Sequence, residues 1–134
     1  MSDEPRKILY VLPAQPPALV LDELTRRSVA MLRAASGPYK GRVLRGHHRC
    51  VCGAKSGSFD LSVTWSGQTY VFNHLAAHYV AYHRLDVDQS ELAVVASYPD
   101  IVTLELIRDD ELQVPEAAPT GPRFLQNQQV LSRA

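Results

Sequence analysis

Hydrophobic and polar positions along the chain follow two different periods. Between residues 18 and 36, apolar side chains recur every three or four positions, which predicts an amphipathic helix that stops at Gly37-Pro38. Over residues 59–65, apolar and polar residues alternate, which is typical of a strand with one buried face. Ser66-Gly67 is a suitable two-residue turn, and residues 68–72 are predicted to return as the partner strand of a β-hairpin.

Two shorter helices are predicted after the hairpin. Asn73 is a favourable N-cap for a helix over residues 74–84, which contains three of the five histidines. Asp88, with Glu91 three positions later, has the spacing of a capping box, and the helix it starts is predicted to end before Pro99. Helices and strands are therefore mixed along the chain, which favours an α+β fold.

The domain organisation follows from where these patterns begin and end. Residues 42–52 and 101–107 are predicted to add strands, the second because it is rich in β-branched residues. Residues 1–17 contain prolines that exclude a regular helix, which predicts an extended N-terminal arm. Residues 115–134, with three prolines and no sustained period, are predicted to be a C-terminal arm or flexible tail. Between these arms, residues 18–114 are predicted to form one small α+β domain.

Size and composition narrow the class of protein. The chain has 134 residues, of which 46% are hydrophobic and 21% charged, so a packed core is expected without the help of disulfides. The start MSDEPRK lacks the apolar stretch of a signal peptide, and no apolar run approaches the ~20 residues of a membrane span. A soluble cytoplasmic protein is therefore expected. Eleven arginines against three lysines, with abundant Ala, Val and Leu, indicate a bacterial gene of high GC content.

The net charge of zero conceals an uneven distribution. Residues 40–84 carry a charge of +5 and residues 85–134 a charge of −6. A basic face that binds nucleic acid would explain this asymmetry, but its near-complete balance favours neutralisation within the fold or by a second copy of the chain. The acidic run at residues 109–111 is predicted to be solvated. On the nucleic-acid interpretation, the contact residues would be Arg42, Arg45, Arg49, Lys55 and Arg84.

Cysteine and histidine residues form the most informative pattern in the chain. Cys50 and Cys52 are two apart, so an extended backbone that bends at Gly53 would direct both sulfurs to one side. His78 and His83 are five apart, about 140° around a helix, and converge only if the last helical turn loosens. Two thiolates and two imidazoles are a ligand set that Zn²⁺ prefers in tetrahedral structural sites. The sequence therefore predicts zinc bound by these four side chains, with the metal pinning the hairpin sheet to the histidine-bearing helix.

Two other histidines are possible substitutes for the fourth ligand. His74 shares a helical face with His78 but belongs to the first turn of the predicted helix, and His48 is in register with the two cysteines. Other interpretations of the same residues are two buried free thiols with surface histidines, a strained Cys50–Cys52 disulfide, and a catalytic Cys–His pair.

The order of these residues resembles that of Cys2His2 zinc fingers of the hairpin-plus-helix type. The resemblance covers about residues 42–84 and carries over to Cys50, Cys52, Leu75, His78 and His83. It implies a structural zinc ion and, in many members of that family, a helix that reads DNA. Here one residue separates the two cysteines. The linker from Cys52 to His78 has 25 residues rather than about 12, which predicts an enlarged variant of the zinc finger with an additional hairpin.

Three classes of function are compatible with these observations. The leading hypothesis is a non-enzymatic, zinc-stabilised bacterial adaptor that binds a protein partner or a second copy of itself, without a membrane. The alternatives are a zinc-finger-like nucleic-acid-binding protein and a metal-dependent hydrolase with an open site on its histidines. The C-terminal arm contains apolar residues that are unusual in a solvated segment and are predicted to anchor a partner: Phe124, Leu125, Val130 and Leu131.

Overall fold

The computed structural model describes residues 4–41, 50, 52–54 and 59–113. In chain order its strands and helices are β1 (Arg6–Lys7), α1 (Glu23–Ala34), β2 (Leu61–Trp65), β3 (Gln68–Phe72), α2 (Ala76–Tyr82), α3 (Gln89–Ala96) and α4 (Asp109–Leu112). Short 3₁₀ turns lie at Tyr39–Gly41, Arg84–Asp86 and Leu104–Leu106. Helices packed with a small sheet confirm the predicted α+β class.

The sheet is mixed and has the strand order β1-β3-β2. β2 and β3 form the predicted antiparallel hairpin, in which Leu61 lies opposite Phe72. The turn residues Ser66 and Gly67 have φ values of 53° and 78°, both in the left-handed region that a type I′ hairpin turn requires. β1 pairs with β3 in parallel, so the predicted antiparallel hairpin is part of a mixed three-stranded sheet. A parallel neighbour must come from a distant segment, and local sequence patterns do not specify which segment that is.

Helix α1 begins later than the predicted residue 18. Asp22 is its N-cap, and the Oδ1 of Asp22 accepts a hydrogen bond from the Thr25 amide at 3.2 Å. Ala18 and Val20 instead donate their amides to carbonyls of α2 at 2.9 and 2.8 Å. The segment before α1 is therefore held by a neighbouring helix that accepts its N–H groups, although its side chains continue the helical period.

Helix α2 is at the centre of the molecule, and all seven of its residues are buried. It begins at Ala76 rather than at residue 74, because the side chain of Asn73 accepts a hydrogen bond from the Leu75 amide at 2.7 Å and turns the chain before the helix. Burying each large apolar side chain contributes about 1.5–3 kcal/mol relative to leaving it exposed. The fully buried apolar residues of the core include Ile8, Leu21, Val29, Met31, Phe72, Leu75, Val80 and Leu112.

Helix α3 forms where it was predicted, but without the predicted capping box. Asp88 makes no side-chain hydrogen bond to the start of the helix. The Oε1 of Glu91 instead accepts from the Leu9 amide at 2.9 Å and so fastens the segment after β1 to α3. Trp65 of the hairpin donates its indole N–H to the Ser97 hydroxyl at 3.0 Å at the other end of this helix.

The predicted strand over residues 101–107 was wrong. Val102 exchanges two hydrogen bonds with Arg26 of α1, one from its amide at 3.2 Å and one to its carbonyl at 2.9 Å. A 3₁₀ turn at Leu104–Leu106 and the short helix α4 follow. β-Branched residues favour extended backbone, but no strand of the described sheet is adjacent to pair with this segment.

Several predictions fall outside the described residues. These are most of the predicted strand over residues 42–52, the C-terminal segment after residue 113, and His48. The division into two arms and a domain stays a prediction, although residues of the N-terminal segment form β1. Within the described residues, no helix has the length and apolar character needed to cross a membrane.

Candidate metal centre

The four predicted ligands lie together. The sulfur atoms of Cys50 and Cys52 and the ring nitrogens of His78 and His83 are all within 4.8 Å of one another. Cys50 Sγ is 3.2 Å from His83 Nε2, and Cys52 Sγ is 3.3 Å from His78 Nε2. Zn–S and Zn–N bonds of about 2.3 and 2.0 Å in a tetrahedron would separate ligand atoms by about 3.3–3.8 Å. The cluster therefore has approximately the dimensions of a zinc site.

A tight turn supplies the two cysteines. Ala54 accepts the amide hydrogen of Cys50 at 2.8 Å, and the Gly53 amide donates to the Cys50 carbonyl at 3.0 Å. Gly53 has a φ of 101°, which a residue with a Cβ atom rarely adopts. The sharp bend allows the two sulfurs to point toward α2 together, as the Cys-x-Cys-Gly sequence predicted.

The end of α2 supplies the two histidines. His78 lies within the helix, whereas His83 is the residue after its last turn, with a non-helical φ of −129° and ψ of 41°. This departure from helical geometry brings two residues five positions apart to one side. The last four carbonyls of α2 all have donors, which fixes this end in place: His83 N, Arg84 Nε, Val20 N and Ala18 N.

Burial keeps both histidines in the form that binds metal. His78 is fully buried, and this burial lowers its pKa to about 4 despite its contact with a backbone carbonyl. Burial also lowers the pKa of His83. Neutral imidazole offers a nitrogen lone pair, which is what a metal ion requires. Burial, and then the nearby sulfurs of Cys50 and Cys52, raises the pKa of Tyr79 to about 12, so this phenol stays protonated beside the cluster.

The proton of His78 is assigned by its surroundings. Its Nδ1 lies 3.0 Å from the carbonyl oxygen of Leu112, at the end of α4. A carbonyl only accepts, so the neutral ring must carry its proton on Nδ1. Nε2 is then unprotonated and faces the sulfurs. Metal-ligating histidines usually donate their second nitrogen to a carbonyl or carboxylate in this way.

The chain matches no protein-family model, no curated protein and no solved structure. The resemblance to Cys2His2 zinc fingers therefore rests on the order of the four ligands. The resemblance implies a helix with an exposed face that can read DNA. The structure differs from this, because every residue of α2 is buried against the rest of the domain. No face of this helix is free to enter a DNA groove.

Of the two substitute ligands, only His74 is among the described residues, and it does not join the cluster. His74 packs edge-on against Phe59, with ring centroids 5.4 Å apart, and it is not among the clustered ligands. A three-histidine site on α2 is therefore not assembled. The two cysteines form no disulfide with each other, and both clustered histidines are buried rather than at the surface, so neither the disulfide nor the surface-histidine interpretation describes this arrangement.

The basic residues of the nucleic-acid interpretation are mostly outside the described residues. Arg84 is described, and its guanidinium donates to both carboxylate oxygens of Asp22, at 2.6 and 2.8 Å. Its side chain is only 15% exposed. The predicted neutralisation of residues 40–84 by residues 85–134 within the fold does not hold for Arg84, because its partner, Asp22, is at the start of α1.

Two contributors to the site were missed from the sequence. The carbonyl of Leu112 carries no sequence signal, since every residue has one. Glu111 belongs to the acidic run that was predicted to be solvated, yet it is only 8% exposed and is paired with Arg33 of α1. Arg33 Nη2 donates to Glu111 Oε1 at 2.9 Å, and the amide of Arg108 donates to the same oxygen at 2.8 Å. The only sequence signal for a buried, hydrogen-bonded Glu111 is its position three residues after Arg108, which is the spacing of a capping box.

Proposed function

We propose that this protein is a non-enzymatic cytoplasmic adaptor whose domain is held together by one structural zinc ion. Cys50, Cys52, His78 and His83 would be the four ligands, and their convergence within 4.8 Å is the observation that carries the proposal. Zinc is favoured over other metals because two sulfur and two imidazole ligands in a tetrahedral arrangement are typical of it.

A structural role is favoured over a catalytic one by the ligand count and the burial. Four protein ligands complete the tetrahedral shell, whereas a catalytic zinc keeps one position open for water or substrate. Cys50, His78 and His83 are at most 2% exposed, which also disfavours a catalytic Cys–His pair, since a nucleophile must meet its substrate. Within the described residues, no carboxylate joins the cluster as a general base would.

Metal binding would supply a large part of the stability. Structural zinc contributes on the order of 10 kcal/mol to sites that do not exist in the unfolded chain, and whole domains are stable by only about 5–15 kcal/mol. The ion would join the cysteine turn to the central helix α2, across a stretch of chain that includes the β2–β3 hairpin.

The proposed adaptor role rests on exposed apolar side chains. Leu12 and Leu85 are 93% and 89% exposed, so both side chains are accessible to a partner. Together with Phe124 and Leu125 of the C-terminal segment, they are candidate contacts for a partner chain or a second copy. In this proposal the zinc ion stabilises the fold that presents these exposed apolar side chains, and the side chains contact the partner.

The test is the metal content of full-length protein purified without chelator. The proposal expects about one zinc ion per chain, its loss in Cys52→Ser and His78→Ala, and its retention in His74→Ala, the matched control on the same segment. Metal-free protein with unchanged stability would refute the structural zinc. If Cys52→Ser folds normally but loses a metal-dependent turnover, the hydrolase alternative is correct. Association that persists unchanged in Phe124→Ala/Leu125→Ala would refute the anchoring role of the C-terminal segment.

A further inference from the structure

Helix α4 closes one side of the proposed metal site. It has only four residues, too few to be stable as an isolated helix, so contacts with other elements must hold it. One of these contacts is the hydrogen bond between His78 Nδ1 and the Leu112 carbonyl. Leu112 is itself fully buried. The same carbonyl therefore belongs both to the end of α4 and to the surroundings of a metal ligand.

The end of α4 makes this carbonyl available. Gln113 has a φ of 51°, in the left-handed region, so the helix ends directly after Leu112. The last carbonyls of a helix have no N–H donor within the helix, so they need a donor from outside it when they are buried. The Leu112 carbonyl meets this need with the N–H of His78.

An ion pair holds α4 against α1. Glu111 accepts hydrogen bonds from Arg33 with both carboxylate oxygens, and Arg33 also donates to the Leu106 carbonyl just before α4. The carboxylate is 8% exposed and the guanidinium 39%, so the pair lies at the edge of the core. Neither residue touches the cluster, but together they determine where the Leu112 carbonyl lies.

We propose that α4 is the outer layer of the metal site, and that zinc binding and the docking of α4 stabilise each other through the His78–Leu112 hydrogen bond. This inference rests on the proposed zinc site. Arg33 and Glu111 then act as positioning residues for metal binding. In the other direction, zinc at Nε2 requires the proton on Nδ1 and makes it a stronger donor, which holds α4 at the point where the chain continues into residues 114–134. Such coupling is reciprocal by thermodynamic necessity.

The first test compares two neighbouring carboxylates of α4 in the full-length protein. Glu111→Gln removes the charge that binds Arg33, whereas Asp110→Asn removes a charge from an ion pair whose side chains are 69% and 71% exposed. Zinc affinity is measured by competition with a chromophoric chelator. Loss of an outer-layer partner typically weakens metal binding by about 10–100-fold, so about tenfold is expected for Glu111→Gln and less than about twofold for Asp110→Asn. Equal affinities in the two variants would overturn the proposal.

The second test separates positioning from a general loss of stability. In the zinc-bound protein, the Nδ1 proton of His78 should exchange slowly with water in NMR spectra. Its exchange should accelerate in Glu111→Gln and stay slow in Leu92→Ala, which destabilises α3 away from the site. Equal acceleration in both variants, or no acceleration in Glu111→Gln, would contradict the proposed role of Glu111.

A third test needs no substitution and remains informative if Glu111→Gln does not fold. Hydrogen exchange of the wild-type backbone is followed with and without zinc, and residues 104–113 should gain protection together with residues 76–83 and by more than residues 89–96 of α3. Zinc binding that leaves residues 104–113 unchanged refutes the coupling but not the zinc site. Absence of zinc binding in the wild type refutes the site, and the coupling with it.

Discussion

The two Cys–His pairs of the cluster are similar in composition but are held in different ways. In the Cys52–His78 pair, both ring nitrogens of the histidine have a partner, a sulfur on one side and the Leu112 carbonyl on the other. In the Cys50–His83 pair, Nε2 faces a sulfur, but Nδ1 is buried and has no hydrogen-bond partner among the described residues.

The backbone, rather than the ring, positions His83. Its amide donates to the Tyr79 carbonyl at 2.9 Å, and the following residue, Arg84, is anchored to Asp22. The comparison indicates that one ligand is preorganised by a hydrogen bond to its ring and the other by the fixed end of a helix. Substitutions at the two pairs should therefore differ in how far they lower the free energy of unfolding and in which distant residues they affect.

Removing the metal breaks both pairs at once and should have the largest effect. Chelation of zinc under reducing conditions is expected to lower the free energy of unfolding by on the order of 10 kcal/mol. Because this is comparable with the whole stability of a small domain, the cooperative thermal transition should be lost. Circular dichroism during heating, before chelation and after zinc is restored, measures it. An unchanged melting temperature would argue against a structural metal.

Truncating the two histidines separately sharpens the comparison. His78→Ala and His83→Ala each remove one ligand, but only His78→Ala leaves the buried Leu112 carbonyl without a donor. Such a carbonyl costs about 1–3 kcal/mol, so His78→Ala should be less stable than His83→Ala by this amount. Urea denaturation of both variants in excess zinc gives the difference. Equal stabilities would mean that the hydrogen bond to α4 contributes nothing.

The ion pair beside His83 should have a smaller, pH-dependent effect. Burial alone would raise the pKa of Asp22, but hydrogen bonds from Arg84 and the Thr25 amide outweigh it and hold the pKa below the usual 3.8. A lowered pKa stabilises the fold above pH 3.8, and this stabilisation is lost as the pH falls through the folded-state value. Asp22→Asn should therefore cost about 2 kcal/mol at neutral pH, and the cost should be constant down to about pH 5.

Unfolding measured at pH 7, 6 and 5 tests this expectation. Glu23→Gln is the control, since it weakens an ion pair with Arg27 in which the Glu23 side chain is 65% exposed. Exposed pairs contribute about 0–1 kcal/mol. A cost of Asp22→Asn that disappears between pH 7 and pH 5 would contradict the lowered pKa.

The smallest effect is expected from a substitution of His74, which belongs to neither Cys–His pair. His74→Ala removes an aromatic contact with Phe59, worth about 0.5–1.5 kcal/mol, and a buried Nδ1 to which no group in the described part of the chain hydrogen-bonds. Zinc content and affinity should not change. A loss of zinc in this variant, measured by elemental analysis, would show that the cluster extends beyond its four residues.

Patterns that act over a few residues were readable from the sequence. The β2–β3 hairpin followed from alternation and the Ser66-Gly67 turn. The four candidate ligands followed from their residue types and from the bend expected at Gly53. In the hairpin, and within each pair of ligands, the side chains that decide the geometry are close together in the chain, and their chemistry is restricted to a few residue types.

Tertiary structure decided the features that depend on backbone groups of distant segments. Residues 101–107 have the composition of a strand, but Val102 is held by Arg26 of α1. Glu91 has the spacing of a capping residue, but it binds the Leu9 amide. Amide and carbonyl groups are the same at every residue, so the sequence alone determined which side chains could bind a metal, and only the packing of α4 on α2 determined that the Leu112 carbonyl would orient one of them.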